Sequence, residues 1–245
     1  NDTVDGGTGA DTIATGNGTD TIVLRSGDGG STLANADVIT DFQDGSDVLG
    51  MDSLSYSDFT ISQGSGAYAS HTLLAHSGTG EYLGVLQNIS ASNVTAADFM
   101  STSTTAITYT GTSGNDAFVG GAGNDVFTTS AGVDELYGHV GNDSFTVNGA
   151  GNKTVDGGSG TDSLNLANVL NLASLSDIKV SYSGGNNASG NFILDLADGS
   201  SVTATSIQSL TISGSSVSLY DYGGYALDNT FNSGARGIAH ESGSQ

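Results

Sequence analysis

Large apolar residues recur along this chain at a fixed interval. From Gly111 the sequence reads GTSGNDAFV, GGAGNDVFT, TSAGVDELY and GHVGNDSFT, four units of nine residues without a gap. Val147 is inserted before NGAGNKTVD and GGSGTDSLN, which close the block at Asn165. A shorter block opens the chain: residues 1–5 are the tail of one unit, and residues 6–14 (GGTGADTIA) and 15–23 (TGNGTDTIV) are full ones. The eighth place of the units holds Val4, Ile13, Ile22, Phe118, Phe127, Leu136, Phe145, Val155 and Leu164, apolar in every case. Each unit follows the form G-G-x-G-x-D-x-U-x, with U a large apolar residue. Glycine at the first, second and fourth places permits a turn with positive φ, and the last three residues form a short strand with one inward side chain. Two units complete one turn of a flattened parallel solenoid whose loops stack along both edges. The fold class expected is all-β: a parallel β-roll in two blocks, each followed by a β-rich segment outside the repeats.

Between the blocks, residues 37–49 (DVITDFQDGSDVL) alternate apolar and polar around a turn at 44–46 and read as a strand pair closing the first roll. Further strand signals lie at 59–62, 72–75 and 82–89, and a short helical turn is expected over 95–100 with Thr95 as its N-cap. After the second block, 178–182, 192–196, 201–205 and 209–212 read as strands, with turns over 184–191 and 197–199. The expected domains are 1–107 and 108–228, followed by a polar tail over 229–245. Because the first block is cut mid-unit at residue 1, the chain is expected to be a piece of something longer.

Composition sets a condition on this fold. The 245 residues include 26 Asp plus Glu against 4 Lys plus Arg, a formal charge of −22, and no Pro, Cys or Trp. All the acids but Glu81, Glu135 and Glu241 are Asp, a residue of turns and calcium sites rather than of helix interiors. So dense a charge opposes a compact state unless cations neutralise it. It argues against nucleic acid as a partner, the lack of Cys against a disulfide scaffold, and the lack of any long apolar run against a membrane span. Disorder is the state expected of such a chain when nothing neutralises it.

The acids are not scattered. Asp2, Asp11, Asp20, Asp116, Asp125, Asp134, Asp143 and Asp162 stand at the sixth place of their units. Calcium takes six to eight oxygens at about 2.3–2.6 Å, and Gly-rich turns offer carbonyls that no side chain obstructs. Units two apart stack on the same edge, which pairs Asp2 with Asp20, Asp116 with Asp134, Asp125 with Asp143 and, across the Val147 insertion, Asp143 with Asp162. Calcium ions held by such pairs are the cofactor expected. One unit departs: its sixth place is Lys153. Either its ammonium takes the place of a cation beside Asp134, so that no calcium binds there, or Val147 bulges the coil and Lys153 points to solvent.

These repeats resemble those of the RTX family of hemolysin-type calcium-binding proteins. The resemblance is strong over residues 1–23 and 111–165. It is weaker at 36–49 (ADVITDFQDGSDVL) and 93–99 (NVTAADF), which are similar to the segment after the β-roll in serralysin-type proteases. It implies that the ligands are the aspartates above with loop carbonyls such as those of Gly7, Gly9, Gly121, Gly123, Gly141, Gly158 and Gly160, and that Asp28, Asp37 and Asp47 complete the last site of the first roll. It further implies a bacterial substrate of type I secretion that folds outside the cell where calcium is plentiful. The ending HESGSQ lacks the apolar terminus often found in that family's secretion signals.

No catalytic constellation stands out. The zinc-protease pattern H-E-x-x-H is absent, His71, His76 and His139 are scattered, and no serine lies in G-x-S-x-G. Tyr220, Tyr222 and Tyr225 with Asp221 read as strand packing or, alternatively, as a surface that stacks on sugars. The function expected is a calcium-dependent structural module of an exported surface protein of adhesin or surface-layer type, secreted or held at the cell surface. The alternatives are a non-catalytic portion of an extracellular enzyme, serralysin-like or alginate-epimerase-like, and a carbohydrate-binding module. Cell-surface or polysaccharide partners and calcium-dependent self-association go with these readings.

Overall fold

The computed structural model describes residues 1–168, 179–181, 192–196, 199–212 and 215–218. The turn expected over 184–191, most of that over 197–199, the tyrosine cluster and the polar tail fall outside them. The chain divides into two units, 1–103 and 104–245.

In the first unit the chain alternates between two sheets. Strands β1 (Thr3–Asp5), β3 (Thr21–Arg25), β5 (Val48–Asp52) and β9 (Phe99–Ser101) form one, entirely parallel. In the other, β2 (Thr12–Ile13), β4 (Asp37–Ile39) and β8 (Tyr82–Leu86) are parallel, and β7 (Thr72–His76) and β6 (Phe59–Gln63) extend it antiparallel. Ile22, Leu49 and Phe99 stack across the first sheet and are fully buried. The strand pair expected over 37–49 does not form. β4 pairs with β2 and β8, and β5 with β3 and β9, so the two strands lie in opposite sheets as one more coil of the roll. The alternation of apolar and polar residues is the same in a hairpin and in a solenoid strand, so it could not separate the two. Thr95 caps one 3₁₀ turn, Ala96–Asp98, through a capping box with Asp98, and the chain is extended again from Phe99.

The second unit repeats the plan. One sheet runs β10 (Thr108–Thr110), β12 (Val126–Thr128), β14 (Ser144–Asn148), β16 (Ser163–Asn168), β20 (Ser209–Ile212) and β21 (Ser215–Ser218). The other runs β11 (Ala117–Val119), β13 (Asp134–Tyr137), β15 (Lys153–Asp156), β19 (Ser201–Thr205), β18 (Phe192–Asp195) and β17 (Lys179–Ser181). Pairing is parallel through the repeats and antiparallel among β17, β18 and β19 and between β20 and β21. The roll exceeds the repeats at both ends. Tyr109, two residues before Gly111, pairs with Phe127 one coil on, and Ala204 and Leu210 continue the inward column beyond Val155 and Leu164.

Parallel pairing in register puts the same place of each unit directly over the next. The rings of Tyr109, Phe127 and Phe145 therefore stack, with centroids 5.0 and 4.7 Å apart and planes within 10° and 8°, close to the strand spacing itself. Inserted Val147 is absorbed into this core: it is fully buried opposite Leu166, and the register shift follows it. Phe127→Ala is expected to cost about 3–5 kcal/mol of stability. Val126→Ala, next to it but 40% exposed, should change stability by no more than about 0.5 kcal/mol. Denaturant unfolding at saturating calcium measures both.

Candidate metal centre

The turns between strands build the two edges of each roll. In the second unit, residues 111–116, 129–134 and 148–153 line one edge and 120–125, 138–143 and 157–162 the other, since each turn carries the chain from one sheet to the other. Close passage is what the glycines allow. Gly132, Gly141, Gly151 and Gly160 have φ of 126°, 144°, 102° and 143°, and a Cβ on any of them would overlap the carbonyl oxygen of Gly114, Gly123, Gly132 or Gly141 respectively. The fourth-place carbonyls thus line up from coil to coil.

Beside them runs a ladder of sixth-place carboxylates. The backbone N–H of one sixth-place residue donates to Oδ1 of the aspartate one coil on: Ile107 to Asp125 at 2.7 Å, Asp125 to Asp143 at 2.7 Å, Asp143 to Asp162 at 2.8 Å and Asp116 to Asp134 at 3.0 Å. In the first unit Asp2 donates to Asp20 at 2.6 Å, Asp11 to Asp37 at 2.9 Å and Asp20 to Asp47 at 3.1 Å. Asp37 and Asp47 so take the sixth place of coils whose turns have outgrown the repeat. The pairs read from an eighteen-residue interval are all brought together.

Each ladder bond uses one carboxylate oxygen, and the fate of the other differs. Oδ2 of Asp125 accepts from the Gly121 N–H at 2.9 Å, and Oδ2 of Asp116 from the Thr112 N–H at 2.8 Å. Oδ2 of Asp20, Asp134, Asp143 and Asp162 is buried without a hydrogen-bond donor. An unsatisfied buried acceptor costs about 1–3 kcal/mol, and more when charged. Asp143 Oδ2 lies against the first-place Gly138, with the Gly157 carbonyl oxygen 2.6 Å from where that glycine's Cβ would stand. Asp11 and Asp37 turn Oδ2 toward Gly6 in the same way. Hard anionic and carbonyl oxygens facing one point, with no proton donor among them, are the donor set that calcium takes. Among the described residues no three carboxylate or imidazole side chains gather round one point, so backbone oxygens must supply most of any shell.

The remaining glycines named from sequence lie in these turns. Gly7, Gly9 and Gly158 have φ of 75°, 122° and 83°. Gly7 N–H donates to Asp5 Oδ1 at 3.0 Å, Gly9 N–H to the Asp28 carbonyl at 3.0 Å, and Gly158 N–H to Asp156 Oδ1 at 3.1 Å. The Gly121 carbonyl already accepts from the Val140 N–H at 3.0 Å. Asp28 meets a protein cation: Arg25 reaches Asp28 Oδ2 at 3.3 Å, Asp5 Oδ2 at 2.8 Å and Asp52 Oδ2 at 2.9 Å.

Lys153 does not point to solvent. Its side chain is fully buried, and Nζ donates to the carbonyls of Gly132 at 2.5 Å, Ala150 at 3.0 Å and Gly151 at 3.2 Å, with Asp134 Oδ2 at 3.3 Å. Two further features were not read from the sequence. Asparagine at the fifth place makes its own ladder, Oδ1 of Asn1, Asn115, Asn124, Asn142 and Asn152 accepting the N–H of Thr19, Val133, Asn142, Thr161 and Ser201 at 2.8–3.0 Å. The sequence signal for it is the recurrence of Asn at that place. Gln208 ends the carboxylate ladder, its Oε1 accepting the Asp162 N–H at 2.5 Å.

A protein-family model for the RTX calcium-binding nonapeptide repeat matches in four copies, over residues 1–30 and 110–145. No curated protein matches the sequence. Among solved structures, the crystal structure of the extracellular lipase LipA from Serratia marcescens is similar at 24% identity and a TM-score of 0.29, over 42% of this chain and 13% of the lipase. Among the described residues no helix is long and apolar enough to cross a membrane.

Burial pushes the Asp143 carboxyl up from 3.8 to about 6, with the charges of Asp125 and Asp162 adding to it against the Asp125 N–H. Burial also raises Asp162 and Asp37. A carboxyl raised on folding binds its proton more tightly in the folded state, so between the two values the metal-free fold loses stability as pH rises. In chelator, strand content followed by circular dichroism should therefore increase as pH is lowered from 7 to about 5.

Proposed function

From a chain of RTX type, whose nonapeptide repeats bind calcium, we propose a module of an exported protein that stays unfolded where calcium is scarce and folds into two β-rolls where it is plentiful. The observation that carries this is the pair of buried Oδ2 atoms on Asp143 and Asp162, which have no donor and lie beside backbone carbonyl oxygens. The ligands assigned are Asp2 with Asp20, Asp11 with Asp37, Asp116 with Asp134, and Asp125, Asp143 and Asp162 in series, together with carbonyls of Gly7, Gly9, Gly121, Gly123, Gly141, Gly158 and Gly160. What calcium supplies there is positive charge and a full oxygen shell. The residues themselves hold the turns at the spacing at which those oxygens converge.

Linkage sets the size of the effect. An ion that binds only the folded state stabilises it by about 1.4 kcal/mol per site at ten times Kd. Six such sites would supply about 8 kcal/mol, comparable with the whole stability of an ordinary domain. The same six ions would cancel much of the −22 charge. Placement outside the cell follows from the need for that calcium, and two roll units in series support a structural role at a surface, of adhesin or surface-layer type. Within the second unit β10 and β11 stand first in their sheets, and such edge strands are those through which calcium-dependent self-association would proceed.

Calcium titration followed by far-UV circular dichroism is expected to show a cooperative gain of strand signal. Unchanged strand signal in excess chelator would sink the proposal. Asp143→Asn keeps the ladder acceptor but removes the charge, and should raise the calcium midpoint by about tenfold or more, as losses around metal ligands do.

A further inference from the structure

The two edges of the second roll are built alike up to one residue. On one, Asp125, Asp143 and Asp162 follow each other, and Oδ2 of the last two is buried without a donor. On the other the order is Asp116, Asp134, Lys153, with Lys153 in register opposite Asp134. The backbone cradle is the same on both, since Gly151 lies over the Gly132 carbonyl as Gly160 lies over that of Gly141. An ammonium has three protons to donate, and Lys153 directs its bonds at three carbonyls, those of Gly132, Ala150 and Gly151. The Asp134 Oδ2 atom, which has no hydrogen-bond donor, is 3.3 Å from the same nitrogen and provides the countercharge.

We propose that Lys153 is a resident cation seated in a calcium cradle, so that the junction of the 129–134 and 148–153 turns needs no metal and binds none. The proposal rests on the calcium reading of the other turns and adds to it that one position has been made independent of calcium supply. The bonding explains how a lysine tolerates full burial. Its charge is shared by one carboxylate and three carbonyl dipoles, as a metal's would be, and no proton is left without an acceptor. The consequence is local: β13 and β15 are held in register by a covalently attached charge while the turns on the opposite edge wait for ions. This gives the second roll a coil from which the others can order.

Native mass spectrometry of the full chain at saturating calcium counts the ions bound. Lys153→Asp restores the sixth-place aspartate and should bind one calcium more than wild type, with a higher calcium midpoint because the metal-free cradle now holds two carboxylates. An unchanged count, or a variant that stays unfolded at saturating calcium, overturns the proposal. A second measurement uses the wild-type chain, in which acetic anhydride should leave Lys153 unmodified at saturating calcium and equally at ten times that concentration. Acylation that grows with calcium would show the ion displacing the ammonium and would also overturn it. If wild type binds no calcium at all, it is the calcium reading of the other turns that fails, and this outcome is distinguishable from the others by the wild-type count alone.

Discussion

Stacking in parallel register places like on like. Wherever one coil of these rolls has a given side chain at a given place, the next coil sets its counterpart directly above it, at the strand spacing of about 4.8 Å. For apolar residues this is favourable: Phe127 over Phe145, with centroids 4.7 Å apart, buries both rings and leaves no gap between them. For asparagine it is favourable too, since each Oδ1 meets a backbone N–H of the following coil. For aspartate the same register is a liability. Two carboxylates at that spacing repel by about 3 kcal/mol at an effective dielectric constant near 20, and burial adds a desolvation cost to each.

The structure answers this liability in three ways. A backbone N–H of the preceding coil takes one oxygen of Asp20, Asp37, Asp47, Asp125, Asp134, Asp143 and Asp162. A protein cation neutralises some carboxylates, as Arg25 does for Asp5, Asp28 and Asp52, and as Lys153 does for Asp134. Oδ2 of Asp20, Asp143 and Asp162 is left without a donor, and beside Asp143 and Asp162 carbonyl oxygens approach the same first-place glycines, the kind of oxygen set that calcium takes. The chain has few Lys and Arg residues to set against its acids. Most of the neutralisation is left to ions from outside, which is the basis of the calcium-dependent folding proposed above.

Much of this was legible in the sequence because a period of nine carries both signals at once. The apolar eighth place gave the inward column from Ile13 to Leu164, and the sixth-place aspartates paired as their spacing required. Legibility failed where the roll continues without the repeat. Ile107 and Tyr109 hold the sixth and eighth places of a coil that has neither Gly nor Asp to mark it. The turn before Asp37 has lengthened, so Asp11 finds its partner 26 residues on instead of eighteen. Strands β4 and β5 carried an alternation common to hairpins and solenoids, and only the pairing decides between them. Lys153 was legible as an exception, but whether its ammonium sat beside Asp134 or in solvent stayed open, because burial depends on the carbonyls that the neighbouring turn brings to its nitrogen.

Calcium in the folded state is proposed to bind the donorless Oδ2 atoms of Asp20, Asp143 and Asp162, and not that of Asp134, where Lys153 stands. Anomalous diffraction from crystals grown at saturating calcium tests it most directly. The account predicts anomalous peaks about 2.3–2.6 Å from Oδ2 of Asp20, Asp143 and Asp162, and none beside Nζ of Lys153. A map with no peak at those three oxygens, or with one in the Lys153 cradle, would contradict it.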